Sequence, residues 1–172
     1  MPYTLRDNSG KVIAENKYLL SLHDFNASDR IENLINAGVT SFKIEGRLKD
    51  ANYVKNVVAY YRKKIDDVIE KHPEEYVRSS FGKSIIDFTP NLSKSFNRGF
   101  TDYFLSSRRP LKLASMMTPK SMGEVITDIN DLNNGDGISY FDRKGNYCGA
   151  HVNRVEGGRI VAGRKIDIPA GA

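Results

Sequence analysis

Two stretches decide the fold: Tyr18-Leu19-Leu20-Ser21-Leu22-His23-Asp24-Phe25-Asn26 and Val39-Thr40-Ser41-Phe42-Lys43-Ile44-Glu45-Gly46-Arg47-Leu48-Lys49. Residues 18–22 form a short, mostly apolar run that suits a strand buried on both faces, and His23-Asp24-Phe25-Asn26 reads as a polar turn after it. Between the stretches lies a helix. Ser28 or Asp29 is its expected N-cap, Asp29 and Glu32 have capping-box spacing, and Ile31, Leu34 and Ile35 share one face. Gly38 after Ala37 is the expected left-handed C-cap. Residues 39–44 are β-branched and aromatic, as a strand requires, and Glu45-Gly46-Arg47 turns the chain. A long helix follows from about Asp50 to Lys71, with Val54, Val57, Val58, Tyr61, Ile65 and Val68 at steps of three and four. His72-Pro73 stops it. Strand, helix, strand, helix with short loops predicts a right-handed parallel βαβα unit. Such a unit is part of a larger α/β domain, because a parallel pair needs cover on both sheet faces.

Working outward, Tyr3-Thr4-Leu5-Arg6 and Lys11-Val12-Ile13 flank the turn residues Asp7-Asn8-Ser9-Gly10 and predict a hairpin. Met1 stands directly before that strand-like run with no lead-in, as expected where a longer chain has been cut. Residues 79–115 are irregular and basic, with Phe88, Phe96, Phe100, Tyr103 and Phe104 interleaved. From Thr118 onward the pattern is all β, with strands expected at 123–127, 138–141, 147–155 and 160–162 between glycine-rich turns. The expected class is therefore α+β or α/β. A βαβα part spans 1–78, a basic aromatic connector spans 79–115, and a small β-barrel spans 116–172.

The chain has 172 residues, 40% apolar and 27% charged, which reads as globular. It has no apolar run of about 18 residues to span a membrane and no secretory h-region. Cys148 is the single cysteine. No intramolecular disulfide and no cysteine-based metal or iron–sulfur site can be built from this chain, and Cys148 reads as a small half-buried hydrophobe in a strand. This composition is consistent with a cytoplasmic protein. The formal charge of +5 is local: residues 91–120 hold Lys94, Arg98, Arg108, Arg109, Lys112 and Lys120 against Asp102, and the rest of the chain balances. A basic segment of this kind suits an anion-binding surface.

Candidate catalytic residues are Lys43, Glu45, Arg47, His23 and Asp24. Lys43 and Glu45 share one side of an extended segment by period two; Glu45 can accept a proton and Arg47 can hold a phosphate or carboxylate bidentately. The plain alternative is an ion pair closing a loop. His23 and Asp24 follow the preceding strand and could do acid–base work, although adjacent residues rarely point at one target, so a loop hydrogen-bonding role is favoured. No HExxH, nucleophile elbow or partnered cysteine nucleophile is present. Arg98, Arg108, Arg109 and Lys112 with Phe96 and Phe100 suit RNA: cations for phosphate, rings for stacking. The alternative is a linker whose rings pack while its charges are solvated.

The runs at 19–25 and 41–49, with Tyr53, Val57, Tyr61-Arg62 and Ile65-Asp66 behind them, resemble the peptidase U32 (collagenase-like) family. Asn97-Arg98-Gly99-Phe100-Thr101 and 132–138 resemble two further blocks of that family, and the former with its β tail is similar to the rRNA 5-hydroxycytidine synthase branch. The resemblance implies the last βα units of a TIM-like barrel followed by a small barrel. Some family members are described as peptidases; others hydroxylate tRNA or rRNA with a cysteine-bound iron–sulfur cluster. The cluster's cysteines lie upstream of the matching region and none is in this chain. The resemblance thus implies a C-terminal fragment, inactive alone, that contributes RNA binding to a hydroxylation enzyme. The alternatives are part of a collagenase-like peptidase with a protein substrate, or a non-catalytic interaction module.

Overall fold

The computed structural model describes residues 1–110, 113–126 and 128–169. In chain order it contains β1 (Tyr3–Arg6), β2 (Val12–Lys17), β3 (Asp24–Phe25), α1 (Ile31–Asn36), α2 (Ala51–Lys71), β4 (Phe100–Thr101), β5 (Gly137–Phe141), β6 (Tyr147–Glu156) and β7 (Arg159–Ala162), with 3-10 turns at Ser28–Arg30, Leu92–Lys94 and Ile129–Asp131. The strands form three small sheets: β1-β2, β3-β4 and β5-β6-β7. The content is mixed α and β, and no barrel closes among the described residues.

The chain divides into two compact units, residues 22–113 and residues 1–21 with 114–172. These divisions differ from the boundaries expected at 78 and 115. The reason is backbone pairing: Tyr18 N donates to Met116 O at 3.0 Å and Ser115 N to Ser21 O at 2.7 Å, which joins the N-terminal hairpin to the chain after 113.

In the unit formed by 1–21 and 114–172, β1 and β2 pair antiparallel as the turn chemistry predicts. Asp7 closes the turn by accepting from Ser9 N, the Ser9 hydroxyl and Lys11 N at 2.9, 2.6 and 3.0 Å. The three-stranded sheet carries the apolar core. Ile138, Ala150 and Val152 are buried, and Leu132, Tyr140, Val155, Ile160, Ala162, Ile166 and Ile168 pack on them. Asp142 holds the β5-β6 turn by accepting from Lys144 N at 2.9 Å and Asn146 N at 2.8 Å. The strand expected at 123–127 is absent over 123–126, and Thr127 lies outside the described residues. Gly123 is left-handed at φ 70°, and Val125 is 86% exposed. Three strands of this length leave two open edges, and a barrel needs its rim paired all round.

In the unit formed by 22–113, the expected parallel pair of strands is corrected. Residues 18–22 end in a turn and an isolated bridge; the strand forms later, as β3, and its parallel partner is β4. Residues 39–46 have no ladder among the described residues. They keep the strand's alternation nonetheless: Phe42 and Ile44 are partly covered while Lys43, Glu45 and Arg47 are exposed. Parallel pairing is weak in isolation and depends on neighbours on each side, so the side-chain pattern survives here without the hydrogen bonds. The capping box also fails. A 3-10 turn precedes α1, whose N-cap is Arg30 with no side-chain bond. Glu32 is engaged instead by Lys71 at 3.1 Å and His72 at 3.3 Å. Gly38 ends α1 as expected, at φ 91°, with Gly38 N on Ile35 O and Val39 N on Leu34 O at 2.8 and 3.0 Å. Asp50 caps α2 by accepting from Tyr53 N at 2.7 Å. The inner face of α2 buries Val57 and Val68, and Ile31 of α1 is buried too, while Val54 and Val58 of the expected stripe stay exposed.

Candidate functional site

The site is built by the loop before β4. Asn97 is buried and its amide donates to Ser93 O and Ser95 O at 3.1 and 3.0 Å while accepting from Gly99 N at 3.1 Å. One side chain thus fixes a seven-residue curve. That curve presents Arg98 to Asp24. The carboxylate accepts from Arg98 N at 2.7 Å, from Nε at 3.3 Å and from the terminal guanidinium nitrogen at 2.8 Å. Hydrogen bonding to Asp24 pushes the Arg98 pKa further up, so the guanidinium stays charged.

Gly99 sits at φ 86°, and a Cβ there would lie 2.5 Å from His23 Nδ1. No other residue type lets the imidazole lie this close to the backbone. The β3-β4 contact then closes: Asp24 N donates to Gly99 O and Asn26 N to Thr101 O, each at 2.9 Å. His23 is pinned at both backbone ends, by its N–H on Leu113 O at 2.9 Å and by the Tyr103 hydroxyl on its carbonyl at 2.7 Å. Its Nδ1 is buried without a partner among the described residues. Tyr103 stacks on Phe25 with centroids 5.8 Å apart. The Tyr61 hydroxyl bonds Asn26 Oδ1 and the Ala27 N–H at 3.1 Å each, and burial pushes its pKa up.

Beside the ion pair lies an aromatic pair held by cations. Lys49 Nζ stands 3.3 Å above the Phe96 ring and 5.4 Å from the Tyr53 ring, and the Arg98 guanidinium is 5.9 Å from Phe96. Partial burial, then the charges of Asp24 and Glu45, push the Tyr53 phenol up. Asp24 and Glu45 therefore act on one hydroxyl.

Of the residues expected from the sequence, His23, Asp24, Arg98, Phe96 and Phe100 come together. Glu45 joins them electrostatically through Tyr53 and accepts from Arg47 N at 3.0 Å. Lys43 and Arg47 are exposed on the outer side of 41–47. Arg108 and Arg109 are exposed, and Lys112 lies outside the described residues. Arg98 is bound to Asp24 rather than facing solvent freely, so it positions the loop. Lys49, Tyr53, Asn97, Gly99 and Tyr103 carry no site role in the sequence reading; Lys49, Tyr53, Asn97 and Gly99 lie in the family blocks quoted above and Tyr103 among the interleaved aromatics, which is the available signal. No cluster of three His, Cys, Asp or Glu side chains is arranged for a metal among the described residues, nor is any described helix long and apolar enough to cross a membrane.

Residues 1–114 match the family model described as Peptidase family U32. The 23S rRNA 5-hydroxycytidine synthase of Escherichia coli is 38% identical over 91% of this chain and 25% of its own length. A collagenase of Porphyromonas gingivalis is 29% identical over 96% of this chain and 41% of its own. A tRNA hydroxylation protein of Haemophilus influenzae is 35% identical over 51% of this chain and 17% of its own. The chain thus spans less than half the length of each of these relatives, and no solved structure matches it. The ordered blocks at 19–25, 41–49 and 97–101, assembled around Asp24 and Arg98, agree with the match over 1–114: the chain belongs to peptidase family U32.

Proposed function

We propose that this protein is the RNA-binding part of an RNA-hydroxylating member of the family. The observation that carries the reading is the segregated charge: residues 91–120 hold the whole formal excess, and Phe104, Arg108 and Arg109 within it are exposed. Cations on a basic stretch bind phosphate and release counterions. The names of the 23S rRNA and tRNA relatives support RNA as the polymer. On this reading residues 22–71 are βα units that complete a TIM-like barrel with upstream chain, and the exposed row of Lys43, Glu45 and Arg47 faces its rim. The iron–sulfur cluster that the family resemblance implies for a longer protein has no cysteine ligand set in this chain, since Cys148 stands alone. The match to a collagenase over 96% of the chain favours a second reading, in which the same surface binds a protein substrate.

The test is RNA binding against salt, comparing the chain with its Arg108→Ala/Arg109→Ala variant. Arg98 is left intact because it holds Asp24. Two lost phosphate contacts lower the log–log slope by about 1.4 on single strands. Absent binding, or an unchanged slope, overturns the reading; saturable binding to gelatin in its place supports the second.

A further inference from the structure

The polar latch between Asp24 and Arg98 leaves one cation in an unusual position. Lys49 Nζ sits 3.3 Å above the Phe96 ring, although that ring is 38% exposed and water is at hand to solvate the ammonium. The same nitrogen reaches Tyr53. Tyr53 also lines a groove of about 490 Å³ between the first turns of α2 and the 87–95 loop, lined as well by Asp50, Asn52, Lys55, Asp87, Phe88 and Lys94. Phe88 is exposed at 43%. Phe88, Tyr53, Lys55 and Lys94 thus line the groove, and Lys49 joins its Tyr53 wall to the neighbouring Phe96 ring.

We infer that this depression is a seat for single-stranded RNA, with one base stacked on Phe96 and the next nucleotide in the groove. The inference rests on the RNA-binding reading above. A cation over an exposed ring occupies the face a base would take. On binding, Lys49 leaves the ring for the flanking phosphate, so the base gains the π-face and the ammonium keeps a partner. Asn52 and Asp87 can meet base-edge donors and acceptors, and Lys55 lies where the backbone continues. Duplex RNA is excluded, because its bases stack on one another and present no free face. Asn56 shapes the groove without serving it: its amide bonds Asn91 O and the Ser95 hydroxyl at 2.6 Å each, and its oxygen accepts from Asn91 N at 2.9 Å.

The experiment uses a fluorescein-labelled 12-nucleotide cytidine–uridine single strand and the same strand in a duplex, with the whole chain. Phe96→Leu weakens the single strand by roughly 10-fold and the duplex by less than about 2-fold, with the salt slope kept, since stacking carries no counterion. Lys49→Gln lowers the slope on the single strand by about 0.7. Equal losses on both probes, or none, overturn the seat while leaving the Arg108/Arg109 result standing. Absence of RNA binding by the parent chain overturns both readings together. If Phe96→Leu unfolds, a 4-thiouridine strand crosslinked to the unaltered chain decides: adducts within 49–53 or 88–96 support the seat, and adducts elsewhere alone overturn it.

Discussion

The two units of this chain are held by different forces. In the β5-β6-β7 sheet, partners lie close in sequence, the turns are short and the interior is apolar around Val152, which is 1% exposed. In residues 22–113, β3 and β4 contribute only two residues each, and the joints are polar and distant. Asp24 meets Arg98 across 74 positions, and the Tyr103 hydroxyl meets the His23 carbonyl across 80. An apolar layer tolerates polar change at its surface, whereas a latch of half-buried polar groups fails when one partner or one close approach is lost. The latch is also where the block residues gather. The comparison thus separates what stabilises a scaffold from what fixes a site.

The largest effect is expected at Gly99. Alanine there sits in the left-handed region, costing about 1–2 kcal/mol, and its Cβ meets an imidazole whose backbone is pinned at both ends. Together these cost about 3 kcal/mol. Hydrogen exchange should speed first at the Asp24 and Asn26 amides, which bond Gly99 O and Thr101 O. Protected amides in Gly99→Ala would break the comparison, because the polar joint would then not hold β3 to β4.

The apolar unit gives the next effect. Val152→Ala removes two methyl groups from the core of the sheet and costs about 2 kcal/mol, read as a lower denaturant midpoint and faster exchange along β6. A loss below about 0.5 kcal/mol would mean that the sheet, too, is held mainly by polar links.

These two sites also mark what was legible in the sequence. Around Val152 the alternation of β6, the glycine turns and the hairpin order follow from period two and local turn chemistry, so three strands of the sheet are readable. The closed barrel is not, because closure depends on a partner for the strand expected at 123–127, which no property of that run supplies, and Val125 stays exposed. Around Gly99 the individual residues were visible, but their meeting was not. His23, Asp24 and Arg98 carried separate expectations, one catalytic and one RNA-binding. Only the fold reveals that Asp24 takes up the arginine. The run 39–44 shows the same limit from the other side: its alternation is real, yet a ladder needs a neighbour that no property of the run itself supplies.

The smallest effect sharpens the comparison at its margin, where α1 meets the end of α2. Lys71, then His72, hydrogen-bond Glu32 and hold its carboxyl below its ordinary value. A carboxyl whose folded value is depressed stabilises fully above the unfolded value and loses that contribution as pH falls through the folded one. The contact between these helices should therefore be constant above about pH 4.5, the ordinary value of this group, and weaken progressively below it. Glu32→Gln should abolish that acid dependence while changing little at pH 7, because the carboxylate is partly exposed and its ion pairs are screened by salt. Exchange at the last turn of α2 between pH 3 and 6 measures it. Parallel curves for the two proteins would show that the exposed pair contributes nothing. Residues 22–113 would then owe their polar stability to the half-buried latch of Asp24 and Arg98 and not to charges at the helix ends, which is the sharper form of the contrast with the apolar sheet.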